Sequence, residues 1–509
     1  MIEQYDALVI GSGPNGLAAA ITLAEHGQRV LVLEARPCAG GAMATEELTL
    51  PGFHHDTFSA VHPAAAASPV FARMPLAQHG LRWVHPPIAL AHPLPDGRAV
   101  ALYRNVQTTA AQLDTLHAGD GERWLAFMQP MLDHYPALRD TILGGFPPVA
   151  GGVRVLAGMG LAQTLELARL VLLPATALAS ELFRSSDVAA WLYGSALHSD
   201  VPLDGSGSAI AAIYLKLLGH AVGWPSPAGG AGSLAHALVS YLRSLGGVVR
   251  VNSPVERILI QRGRVIGVLV AGGTAVRARL VVGDVTPRGL LQLAETDLPA
   301  EYAAKLRRYR YGLPSLKVDW ALSAPIPWAA PEARQAGTVH VGGSASEILH
   351  SEAQLRAGVM PTAPFVLVGQ QSLADRTRAP AGKHTAWGYT HPPHGLDWSH
   401  DCTAYVEQLE AQIERFAPGF RATILARHVM SPADLQQRNR NLVQGDVGGG
   451  SYALDQLVFR PLPTLFPYQT PIRGLYIGSA ATFPGAAVHG VGGAAAARLA
   501  LLEQRVRWW

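Results

Sequence analysis

Three glycines and one acid are the residues of this chain best placed to do chemistry. Gly11, Gly13 and Gly16 recur in the run Gly11-Ser12-Gly13-Pro14-Asn15-Gly16, and Glu34 follows the next apolar run. Glycines at this spacing serve a pyrophosphate. Gly11 permits a tight turn, Gly13 lets the backbone approach the phosphates, and Gly16 allows close packing of a helix on a sheet. The acid then accepts the hydroxyls of a ribose. The flanking residues supply the elements that must hold this group. Tyr5 to Ile10 is apolar and strand-like, Ala18 to Gly27 is helical, and Arg29 to Leu33 is a second strand. This is a βαβ unit, with a helix N-terminus offering free N–H groups and a positive dipole end to an anion.

The residues behind the acid lengthen the ligand. Ala35 and Arg36 precede Gly40, Gly41 and Ala42. A basic residue and a glycine pair suit FAD, whose second half runs on past the first helix, better than NAD. A second glycine-flanked helix start lies near the other end. Gly474 to Ile477 is a short strand, Gly478 and Ser479 follow, and Pro484 to Gly493 leads into an alanine-rich helix. Its N–H groups, aimed at the flavin, would stabilise the negative charge of the reduced ring.

Composition narrows the remaining classes. The 509 residues suffice for two or three domains, and 49% are hydrophobic against 15% charged. A net charge of +3 without a Lys/Arg run gives no footing for a nucleic-acid partner. Cys38 and Cys402 form no Cys-x-x-Cys pair, which excludes the dithiol class of flavoproteins and points to a reducing, cytoplasmic compartment. No metal-ligand spacing stands out, so no metal is expected. The nucleotide motif begins almost at Met1, so no signal peptide is expected. Val155 to Leu182 is apolar but interrupted by Glu166, Arg169 and Glu181. It reads as a helical segment capping an apolar pocket. The alternative is peripheral contact with the inner face of a membrane through Leu170 to Ala179, with Arg154, Arg169 and Arg184 near head groups.

The pass along the chain predicts an α/β protein: a Rossmann-like FAD-binding domain interrupted by an α+β substrate domain with an antiparallel sheet and a helical lid. The first would comprise 1–70, 225–290 and 440–509, the second 71–224 and 291–439. The middle third reads as mostly helical, with one hairpin near Asp96-Gly97. Leu316, Val318, Trp320 and Leu322 alternate with Lys317 and Asp319, which predicts a half-buried strand. Phe365 to Gly369 and His384 to His391 are its expected neighbours, and Val406 to Phe416 an amphipathic helix.

With both ends in view, the chain resembles the phytoene desaturase-like flavoproteins, within the wider amine oxidase-type superfamily. The matching pieces include VIGSGPNGLAAA, LEARPCAGGAMAT, PAGGAGSLAHAL and PGAAVHGVGGAAAA. His489 fits a bacterial subgroup resembling pyridine nucleotide-disulfide oxidoreductase domain-containing protein 2. The resemblance implies non-covalent FAD held by Gly11, Gly13, Pro14, Asn15, Gly16, Glu34, Ala35, Arg36, Gly40, Gly41 and Ala42. Val255 would touch the adenine through its backbone. Gly478, Ser479, Val488, Gly490, Val491 and Gly492 would line the flavin. The family commonly has glycines where this chain has Ala486 and Ala487, so a narrower pocket is expected.

The implied reaction is hydride transfer from a hydrophobic small molecule, isoprenoid or polyene-like, with oxygen or a quinone as final acceptor. Three residues are candidates for the chemistry. The motif places His489 beside the flavin, as a hydrogen-bond partner, a proton acceptor or a structural histidine. His55, in the loop His54-His55-Asp56, is expected at the pocket mouth. Lys317 resembles the lysine that in amine oxidases holds a water against the flavin, unless it and Asp319 form a solvated face. His198 and His220 flank the lid. The alternatives are an amine oxidase, a flavin-dependent isomerase or saturase, and a flavin-binding scaffold without catalysis. A homo-oligomer is compatible with all four.

Overall fold

The computed structural model describes residues 3–506. Strands β1 (Ala7–Ile10) and β2 (Val30–Leu33) are buried at every residue. A strand with no wet face must be covered on both sides, which is the situation of a parallel sheet. They join β5 (Val248–Arg250), β9 (Leu280–Gly283) and β15 (Leu475–Ile477) in a five-stranded sheet of order β15-β9-β1-β2-β5, and every pair is parallel. One face packs on α1 (Pro14–Glu25), α5 (Ala231–Ser244) and α7 (Val491–Val506). The other packs on the antiparallel meander β6 (Val255–Gln261), β7 (Arg264–Val270) and β8 (Thr274–Arg277). Three distant stretches of chain thus build one nucleotide sheet.

A second sheet of seven strands has the order β14-β10-β13-β12-β11-β3-β4. Its members are β3 (Ile88–Pro93), β4 (Ala99–Leu102), β10 (Leu316–Leu322), β11 (Ala336–Val341), β12 (Val366–Gly369), β13 (His384–Thr390) and β14 (Ile424–Met430). All neighbours are antiparallel except β3 and β11. The hairpin at Asp96-Gly97 forms, but its strands leave the helical middle and join this sheet. The expected half-buried strand is instead buried on both faces. The helix α6 (Trp398–Phe416) covers one side through Tyr405, Leu409 and Ile413, and the other side floors a cavity. Its neighbours are β13 and the unforeseen β14, while Val366–Gly369 lies one strand further on.

The helices over the cavity include α3 (Ser186–Ala196) and α4 (Ala209–Ala221), packed around Trp124 and Trp191. The long helix α2 (Val149–Leu172) departs from expectation. It carries a kink at Gly160 and leaves Val149, Leu161 and Leu165 at least 60% exposed. It is long and apolar enough to cross a membrane. The stretch Leu170 to Ala179 is not one continuous helix: the chain breaks at Pro174, Leu170, Ala175, Leu178 and Ala179 are buried, and Val171 and Leu172 are exposed.

Candidate active site

The nucleotide end is built at the carboxyl ends of β1 and β9, where the strand order reverses and an open α/β sheet places its ligand. Gly11 has φ +94°, a conformation that favours glycine, and a Cβ on Gly16 would stand 2.1 Å from the Gly11 carbonyl. Pro14 opens α1, its missing N–H costing nothing at that position. Glu34 is buried at the end of β2. Its Oε2 accepts from the Ser12 amide at 2.9 Å and the Ser12 hydroxyl at 2.5 Å, and its Oε1 accepts from the Arg36 amide at 2.9 Å. One lone pair of Oε1 is left for a ligand. Arg36 pairs with Glu46 at 2.9 Å, and Arg438 closes on the same carboxylate at 2.8 Å.

Asp284, which directly follows β9, also belongs to this end. Its Oδ2 accepts from the Gly16 amide at 2.9 Å. Burial, with the Glu34 charge adding to it, pushes its carboxyl up to about 7. The folded protein therefore keeps a proton that the unfolded chain releases. The stability this group contributes is present at low pH and is lost as pH rises from about 4 towards 7. Asp284→Asn keeps the acceptor and cannot ionise. At about pH 8 it is expected to be more stable than the parent by on the order of 2–4 kcal/mol, the two converging near pH 4. Parallel melting curves at both pH values would count against this.

The carboxy-terminal motif meets the first one. The Gly493 amide donates to Asn15 Oδ1 at 3.3 Å, and a Cβ on Gly493 would lie 1.8 Å from the Asn15 carbonyl. Two helix N-termini therefore face one space. Of the expected nucleotide residues, Gly11, Gly13, Pro14, Asn15, Glu34, Ala35, Arg36, Gly41, Ala42, Val255, Ser479 and Val488 form its wall. Gly16, Gly40, Gly478, Gly490, Val491 and Gly492 lie beneath it and allow close packing. The Gly40 amide donates to the Ser12 carbonyl, and a Cβ on Gly478 would meet Ala496 at 2.8 Å.

His489 is buried inside its own turn. Its Nδ1 accepts from the Val491 amide at 3.1 Å, so Nε2 carries the proton and donates to the Ala486 carbonyl at 3.1 Å. Burial holds the ring down at about 4, hence neutral. Both nitrogens are committed to backbone, and the ring orders the glycine loop. Ala486 and Ala487 do stand in the wall, and Ala487 holds φ +87°, a strained conformation for a residue with a Cβ.

The cavity has a volume of about 1320 Å³ and continues from the nucleotide crevice past Ser59 to Ala64 and over the second sheet. Single-ligand pockets span about 300–1,000 Å³, so a dinucleotide and a second molecule both have room. The strand registers define the floor. Lys317 lies opposite Tyr389, Tyr389 opposite Leu367, and Leu367 opposite His340. Trp387 stacks on Tyr389 at 6.0 Å.

Lys317 sits at the edge of this row nearest His55 and Asp56, which form a short strand against Thr45 and Glu46 where a loop is expected, and it is not solvated. It is 3% exposed, and its Nζ lies 2.5 Å from both oxygens of the fully buried Asp319. Burial pushes the Asp319 carboxyl up to about 6 despite the lysine beside it. His55 stands behind the pair and outside the cavity wall. Its Nδ1 is 3.6 Å from Asp319, and its Nε2 shares a hydrogen bond with Thr49 at 2.8 Å. Burial, with the nearby Lys317 and Arg378 charges, holds it down at about 3, so it is neutral. Asp56 accepts from the Thr45 hydroxyl and the Ala231 amide, each at 2.8 Å, and pairs with the buried Arg378 at 2.8 Å. His54 is half exposed at the surface. His220 is a core residue that accepts from Trp124 Nε1 at 3.2 Å, while His198 lines the cavity.

Known proteins share this architecture. Residues 9–74 match the family model of NAD(P)-binding Rossmann-like domains. The chain is 28% identical to pyridine nucleotide-disulfide oxidoreductase domain-containing protein 2 of Rattus norvegicus, over 97% of this chain and 93% of that protein. It is 24% identical to a component of the limonene dehydrogenase of Castellaniella defragrans, over 100% of this chain and 96% of that one. A solved putrescine oxidase variant superposes with a TM-score of 0.62 at 15% identity, covering 99% of both chains.

Proposed function

We propose that this chain is a flavin-dependent oxidoreductase of the amine oxidase type, and within that class an FAD-dependent dehydrogenase of a hydrophobic, isoprenoid-like small molecule, a reading supported by its likeness over nearly its whole length to the relatives above. The observation that carries this reading is the single cavity joining the dinucleotide crevice to a broad apolar and aromatic floor. Glu34, Arg36, the α1 N-terminus and the Ser479 and Val488 loops would hold FAD. When bound, FAD supplies a two-electron acceptor for a hydride. The protein's share is to align a substrate C–H, keep water out and hold protons nearby. Ala60, Val61, Leu367, Trp387 and Tyr389 do the first two. The likeness to limonene dehydrogenase supports the substrate class.

The amine oxidase reading draws on Lys317, which faces the cavity from a strand. Among the described residues of the wall, the carboxylates Glu34, Glu256 and Asp284 all stand at the nucleotide end. None is on the floor to receive a charged amine. The experiment is anaerobic mixing of the purified yellow protein with isoprenoids and then with amines. Isoprenoids are expected to bleach the flavin and amines to leave it oxidised; the reverse overturns the proposal. Lys317→Met is expected to keep its flavin, leave Asp319 protonated, and slow reoxidation by oxygen about tenfold. Unchanged reoxidation in a stopped-flow trace removes Lys317 from that role. We place peripheral membrane contact on the exposed side of α2. Paired Leu161→Glu and Leu165→Glu changes are expected to abolish flotation with anionic lipid vesicles without loss of flavin.

A further inference from the structure

The row that begins at Lys317 ends in two histidines, and the proposed reaction leaves them unused. His340 lies three strand positions across the floor from Lys317, about 14 Å at ordinary strand spacing. Its Nε2 is 3.0 Å from Nε2 of His198, which reaches in from the end of α3 and forms part of the cavity wall. One of these nitrogens carries a proton and the other accepts it. The Nδ1 of His340 decides which. It is buried without a partner, against Gly194, where a Cβ would stand 2.9 Å away. An orphaned N–H is rarer in a protein interior than a bare acceptor. His340 therefore keeps its proton on Nε2 and donates it to His198. His198 must then carry its own proton on Nδ1, the ring nitrogen that has no partner among the described residues.

The result is one fixed N–H in a mostly apolar end of the cavity, walled by Trp224, Leu215, Leu218 and Leu367, with the Thr338 hydroxyl two residues along the strand from His340. The edge of the Trp224 ring packs on His198 at 6.2 Å, which fixes the imidazole. Lys216, His92 and His391 stand around the pair, and burial holds each of them towards its neutral form. His198 itself is held down at about 3, so it stays a neutral donor at every ordinary pH.

We infer that His198 anchors an oxygen atom of the substrate, so that the molecule oxidised is an oxygenated isoprenoid (an alcohol, aldehyde or ketone) rather than a bare hydrocarbon. Its oxygen accepts from His198 while the rest of the chain lies across Leu367 and Tyr389 towards Lys317. His198 is a positioning and specificity residue in this account. The inference rests on the hydrophobic-substrate reading above and refines it.

The test is calorimetric binding to the flavin-loaded protein of a short acyclic isoprenoid alcohol and of the alkene with the same skeleton but no oxygen. The parent is expected to bind the alcohol about five- to tenfold more tightly, the worth of one hydrogen bond, with no change across neutral pH. His198→Phe is expected to erase the preference while holding the alkene affinity within about twofold. His198→Asn, which retains an N–H donor, is expected to keep part of it. Equal affinities in the parent overturn this inference and leave the dehydrogenase reading standing. A preference that persists in His198→Phe also overturns it. If neither ligand binds, the hydrophobic-substrate reading falls and this inference falls with it.

Discussion

Gly16→Val is expected to yield protein that has lost nearly all of its flavin. A Cβ at this position would stand 2.1 Å from the Gly11 carbonyl and 3.2 Å from the Asp284 carboxylate. Both are held in place, the first by backbone and the second by its bond to the Gly16 amide. No side chain can swing aside, so α1 must slide away from β1 or the glycine turn must open. Either movement carries the helix N-terminus off the pyrophosphate position. The visible absorbance of the purified variant, set against its protein content, reads the outcome. Full occupancy would show that the turn does not hold the nucleotide.

Arg378→Met is expected to cost about 3–5 kcal/mol of stability, because it strips the cationic partner from Asp56 in a dry interior. Arg378 is 1% exposed, as is Asp56. The guanidinium also donates to the His54 carbonyl at 3.1 Å, so it ties the segment holding His55 to the turn Arg376–Arg378. The carboxylate in turn fastens the start of α5 through the Ala231 amide. Denaturant titration measures the loss. Adding Asp56→Asn to the variant removes the lone charge and is expected to recover part of it. A loss below about 1 kcal/mol would mean that the pair is hydrated after all.

What could be read in the residues, and what could not, follows from how local each signal is. The nucleotide end was legible because glycine spacing, strand and helix follow one another within forty residues of chain. The covering of β10 was not legible. Alternation of Leu316, Val318, Trp320 and Leu322 with polar residues reads as a wet face, and only the fold shows that Lys317 and Asp319 neutralise each other inside. The contact between His198 and His340 spans 142 positions, and no periodicity announces it. Asp284 lay in plain sight. An acid at the carboxyl end of a parallel strand beside the glycine turn is the signal that finds it.

The order β15-β9-β1-β2-β5 has a consequence for biosynthesis. Of these five strands the first to leave the ribosome is the middle of the sheet, and the last, an edge strand beside β9, arrives with Leu475. Until then the nascent chain exposes strand edges and apolar surface of the kind that aggregates, and contacts of such long range close slowly. Completion of the sheet therefore waits for Leu475, and a chain shortened ahead of that strand leaves the edge of β9 open.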